Sequence, residues 1–168
     1  NPFKIAAAVK AARQAYAGPI VAVVQPHRYT RLRDTFEQFA TCLNDADVAI
    51  IAPVYAAGEQ PIEGISRDSY ADALRAHGHR NVITIDGEDD LAAAVAPYVK
   101  PGAAIVGTGA GDLPHDAVRW GAGRGVTIVP IGLERIPAAA HLAQRGGLPV
   151  LLGCAGDLPI RRKGVDIV

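Results

Sequence analysis

This chain has no excess of either charge, almost no cysteine and no long apolar run, and each absence narrows what it can be. Lysine and arginine number 17, aspartate and glutamate also 17, so the net charge is zero. No global field then draws the chain to nucleic acid or to an anionic membrane, and any anion site must be local. The only cysteines, Cys42 and Cys154, are far apart and in no metal-type spacing. That argues against a disulfide framework and against a zinc site. Cys42 falls inside a helical run and reads as a small buried hydrophobe. No apolar run approaches the roughly 18 residues needed to span a bilayer, and no signal-peptide pattern opens the sequence. A cytoplasmic protein is the expectation. Asn1-Pro2-Phe3-Lys4 begins without an initiator methionine and reads as a piece of something longer.

What is present alternates. An alanine-rich helix is expected over residues 3–17, stopped by Gly18-Pro19, and a short apolar strand over Ile20–Val24. Thr30 is placed to cap a helix running to about Leu43, with Leu32, Phe36, Phe39 and Leu43 at helical spacing. Strands follow at Val48–Ala52, Asn81–Ile85 and Ala103–Val106, separated by helices from Ser66 to about His77 and from Glu88 to Tyr98. A strand–helix repeat of about 30 residues is the βαβ rhythm. It predicts an α/β fold with a Rossmann-like, doubly wound, mostly parallel sheet and helices on both faces. Beyond Gly111 the pattern weakens to strands at Val126–Ile131 and Leu148–Leu152 with a helix around Glu134–Arg145. Residues 112–168 are expected to add further β/α elements to the same sheet.

Such a sheet collects its ligand loops beyond the carboxyl ends of the strands. Three loops fall there: 25–31, 53–64 and Gly107-Thr-Gly-Ala-Gly111. The first, in VVQPHRYTR, crowds His27, Arg28, Tyr29 and Arg31 into a strand-to-helix turn. Arg28 and Arg31 are spaced to face one carboxylate or phosphate, since guanidinium offers a planar fork of donors, although two solvated arginines would look the same. His27 either donates to a carboxylate, acts as a base or caps the turn. Tyr29 is expected to pack. In the second loop Glu59 either takes an ammonium group or salt-bridges to Arg28 or Arg31, and Gly58 frees the backbone beside it. The third loop is neither a Walker loop nor a full GxGxxG, and a tight strand-end turn is favoured over a phosphate cradle. His77 and His79 are expected to be exposed at a helix end.

VVQPHRYTRLRDTF at 23–36, VYAAGEQPIEG at 54–64 and VGTGAG at 106–111, in this order and at these distances, resemble the C-terminal domain of the Mur ligases. The likeness is greatest to the branch that joins L-alanine to UDP-N-acetylmuramate, and IAAAVKAAR is similar to that domain's first helix. It covers about residues 1–111. The resemblance implies part of an ATP-dependent ligase forming a C–N bond in peptidoglycan synthesis. ATP and Mg would serve the full enzyme, through central and N-terminal domains that this chain lacks. It implies that His27, Arg28 and Arg31 hold the substrate carboxylate, with Tyr55 and Glu59 also on the substrate side. No catalytic or metal-ligating residue is assigned. Asn1-Pro2-Phe3-Lys4 departs from the family's His-Pro-Thr-Glu type of opening, and the 57 residues after Gly111 match nothing recognisable. Without a GKT-type P-loop, the chain alone is not expected to be a competent ligase. The alternative is a non-catalytic α/β module that binds a carboxylate or a sugar nucleotide.

Overall fold

The computed structural model describes residues 1–109 and 127–131. Helix α1, Pro2–Ala15, starts as its sequence dictates. Asn1 caps it by accepting the Phe3 N–H at 3.0 Å, and Pro2 sits where a missing N–H costs nothing. Five strands follow: β1 Ile20–Gln25, β2 Val48–Ile51, β3 Val82–Thr84, β4 Ala104–Gly109 and β5 Thr127–Ile131. Their order is β3-β2-β1-β4-β5 and every pairing is parallel. Pro130 is tolerated in β5 because that strand pairs on one side only among the described residues.

Both faces of the sheet are covered, which is why β1 reads as an unbroken apolar run. Ile20, Ala22 and Val24 pack with Ile5 and Val9 of α1, and with Leu32, Phe39, Tyr70 and Leu74. These last four come from α2 (Tyr29–Asp34), α3 (Phe36–Thr41) and α4 (Arg67–Ala76). Val21 and Val23 face the other way, onto Leu91 and Val95 of α5, Glu88–Val95. Cys42 is buried on the first face, with α1, its Sγ 3.5 Å from the Tyr70 hydroxyl, and burial pushes its thiol up to about 11. It is the inert hydrophobe that the sequence indicated. Among the described residues no helix is long and apolar enough to cross a membrane.

Three elements differ from expectation. The helix expected from Thr30 to Leu43 is two helices that meet at Thr35, whose φ is −129°. The Thr35 hydroxyl donates back to the Arg31 carbonyl at 2.9 Å, a bond that competes with the regular ladder. The helix expected to reach Tyr98 gives way at Ala96 to a 3₁₀ turn around Pro97, which has no N–H to continue the α ladder. Strand β4 runs on through Gly107, Thr108 and Gly109, paired with β1 to its last residue, so these three are strand and not turn. Ala110 and Gly111, the strand at 148–152, the helix at 134–145 and Cys154 lie outside the described residues.

Candidate functional site

The strand order reverses between β1 and β4, so the crevice beyond their carboxyl ends is the ligand position of this architecture. Gly109 permits the close approach of these ends. Its φ is +139°, and a Cβ there would stand 2.4 Å from the Gln25 carbonyl oxygen. Two polar groups at this edge, Gln25 Oε1 and Thr108 Oγ1, are buried without a hydrogen-bond partner. Sheet alternation puts them on opposite faces, so they do not form one site. Both fall in segments expected to be ligand loops, 25–31 and 107–111, whereas each lies at the end of a strand.

Loops 25–31 and 53–64 are zipped together at this edge. The Arg28 N–H donates to the Tyr55 carbonyl, and the Tyr55 N–H donates to the Pro26 carbonyl, each at 2.8 Å. The pair forms a parallel bridge between His27 and Tyr55, and their rings stack at 5.6 Å with planes 15° apart. Tyr55 is nevertheless 46% exposed, an aromatic face open to the edge. Gln25 Nε2 reaches the Pro53 carbonyl at 3.4 Å and ties down the start of the second loop. Tyr29 is half-buried at the start of α2.

Arg28 and Arg31 are exposed, and neither side chain forms a hydrogen bond or ion pair among the described residues. Arg33 is different, since it pairs with Asp34 at 2.7 Å. Arg28 has a φ of +70°, a backbone state that non-glycine residues rarely adopt. Beside them, His27 is held below the ordinary imidazole range by burial, by Arg31 and by Arg28, with Glu59 opposing.

Glu59 does not make the salt bridge expected of it. Its Oε2 accepts the Thr30 N–H at 3.0 Å and its Oε1 accepts the Thr30 hydroxyl at 2.6 Å. Those two bonds, more than Arg28, hold its carboxyl below the usual range. Thr30 is therefore not the cap of α2. The cap position is Arg28, which makes no side-chain capping bond, and Thr30 is the partner of Glu59. A Thr30-Arg31 turn facing a Gly58-Glu59 turn was the available signal. His77 is exposed as expected, whereas His79 is buried. Gly78 ends α4 in a left-handed turn at φ +94°, and the His79 N–H then donates to the Leu74 carbonyl at 3.0 Å, folding the ring inward.

Among the described residues no group of three or more His, Cys, Asp or Glu side chains is placed to hold a metal ion. With Gly107–Gly109 in strand, the described residues offer no glycine-rich cradle for a nucleotide phosphate either.

Comparison with known proteins gives a consistent result. The family model described as Mur ligase, glutamate ligase domain matches residues 1–111. The UDP-N-acetylmuramate–L-alanine ligase of Bradyrhizobium sp. strain ORS 278 is 55% identical over 113 residues, covering 67% of this chain and 24% of that protein. The enzyme of the same name from Xanthobacter autotrophicus is 52% identical over the same shares. The match thus spans about a quarter of the length of these relatives.

Proposed function

The chain belongs to the Mur ligase family, and from that premise we propose that it is the amino-acid-binding domain of a UDP-N-acetylmuramate–L-alanine ligase of peptidoglycan synthesis. Residues 1–111 carry that role, and residues 112–168 are an atypical continuation that adds further β/α elements to the same sheet. The observation that carries the reading is the pair of unpartnered cations, Arg28 and Arg31, at the switch-point edge. An amino acid offered to an acylation site needs its carboxylate held and its amine left free. Two guanidinium forks and the neighbouring imidazole supply donors for the carboxylate. The carboxylate's charge would in turn oppose the lowering of His27 by burial and by the two arginines. Tyr55, stacked on His27 and half open to the edge, offers a wall for the amino acid's side chain.

ATP, with Mg, would supply the phosphoryl group that activates the lactyl carboxylate of the sugar nucleotide, and the residues of this chain would bind and orient the amine that becomes acylated. The choice of L-alanine rests on the relatives' names, since the family model's own description says glutamate.

The test joins this chain to the remainder of the Bradyrhizobium ligase and follows ATP-dependent phosphate release against L-alanine concentration. Arg31→Ala is expected to raise KM for L-alanine by about thirtyfold or more, equivalent to about 2 kcal/mol of lost binding. A KM and kcat both unchanged would remove the carboxylate role.

A further inference from the structure

We propose that Glu59 is a positioning residue: by tying loop 53–64 to Thr30 it sets the direction in which Arg28 and Arg31 leave their turn. The proposal rests on the carboxylate-binding reading above. Helix α2 is six residues long, too short to hold itself together, and its one buried side chain is Leu32. Leu32 anchors the face of α2 that meets the core. Among the described residues nothing apolar anchors the outward side, where Arg28 and Arg31 stand exposed. Glu59 supplies that second anchor, with both carboxylate oxygens engaged on Thr30, one of the two residues lying between the arginines.

The brace is itself fixed. The Glu59 N–H closes a turn onto the Ala56 carbonyl at 3.0 Å, through Ala57 and Gly58 in left-handed conformations at φ +50° and +86°. Further back, the Tyr55 bridge and the Gln25–Pro53 bond hold the loop against β1. Between them the loop's bonds to Arg28 N–H and Thr30 N–H grip the first turn of α2 from one side. They hold Arg28 in its positive-φ state, which a free loop would abandon. A carboxylate so occupied is not directed at a substrate ammonium group. It places one negative charge near Arg28 without neutralising it, and the cation stays available to a ligand.

Glutamine distinguishes positioning from direct binding. In Glu59→Gln the amide oxygen still accepts the Thr30 N–H, and the amide NH2 can donate to the Thr30 hydroxyl, so the brace survives without its charge. In the joined ligase, Glu59→Ala and Thr30→Val are each expected to raise KM for L-alanine at least about tenfold with a smaller change in kcat. Glu59→Gln should stay within about threefold of the parent, and the Glu59→Ala/Thr30→Val double variant should be no worse than Glu59→Ala alone. Equal damage from Gln and Ala, or additive damage in the double variant, would overturn the proposal. A second measurement needs only the chain itself: in NMR the Thr30 amide proton should follow the titration of Glu59, and a Thr30 amide indifferent to it would also overturn the brace. If instead Arg31→Ala leaves KM unchanged while the Thr30 amide tracks Glu59, the carboxylate reading fails and the brace stands as structure alone.

Discussion

Arg28 has a backbone that favours glycine and a side chain that glycine cannot replace. At φ +70° its Cβ is strained, and the Tyr55 carbonyl holds it there through the Arg28 N–H. Arg28→Gly should therefore raise the unfolding free energy by about 1 kcal/mol, read as a higher denaturant midpoint at unchanged slope. The same variant should raise KM for L-alanine in the joined ligase. A loss of stability would mean that the turn is not strained. The cationic turn was legible in the sequence because Pro26 ends β1 and the arginines follow at once. The partner of Glu59 was not. A carboxylate opposite both a guanidinium and a free helix N–H has two good choices, and the local sequence does not decide between them.

Among the elements, α4 shows how far local sequence reaches. Ser66 was legible as its start, and it caps the helix by accepting the Ser69 N–H at 3.1 Å while Ser69 Oγ accepts the Ser66 N–H at 2.9 Å. That reciprocal box lies at the head of a helix that buries Tyr70 and Leu74 in the larger core cluster. Ser66→Ala should cost about 1 kcal/mol of unfolding free energy. It should leave KM for L-alanine unchanged, since α4 carries none of the proposed carboxylate donors. The break at Thr35 was less legible. Leu32, Phe36, Phe39 and Leu43 keep helical spacing straight across it, so periodicity does not register a kink made by one hydroxyl. The extension of β4 through Gly107–Gly109 was hidden for the opposite reason: glycine-rich sequence reads as turn, yet pairing with β1 holds it extended.

At the scale of the whole molecule, the βαβ rhythm fixed the fold class, while the place of the site follows from the order in which strands meet. Crossing from β3 back past β1 to β4 opens the crevice, and that order is not written in any one segment. His79 is a second feature that only the assembled fold reveals. It lies just beyond α4, and its Nδ1 accepts the Asn81 N–H at 3.3 Å while Nε2 makes no hydrogen bond among the described residues. Burial holds the ring below the ordinary imidazole range, against the pull of the Leu43 and Ala46 carbonyls and of the Asp47 carboxylate. The unfolded chain therefore takes up a proton near pH 6.5, while the folded chain resists until lower pH. In the window between the folded and unfolded values the unfolded state binds more protons, so stability falls as pH falls and is level above it. His27, also depressed, adds to the fall with the same sign. Urea midpoints measured from about pH 7 down to about pH 5 should decline in the parent chain. His79→Leu should decline less, retaining the share due to His27 and other groups. A decline of equal size in both chains would mean that His79 takes its proton in the folded state as readily as in the unfolded one.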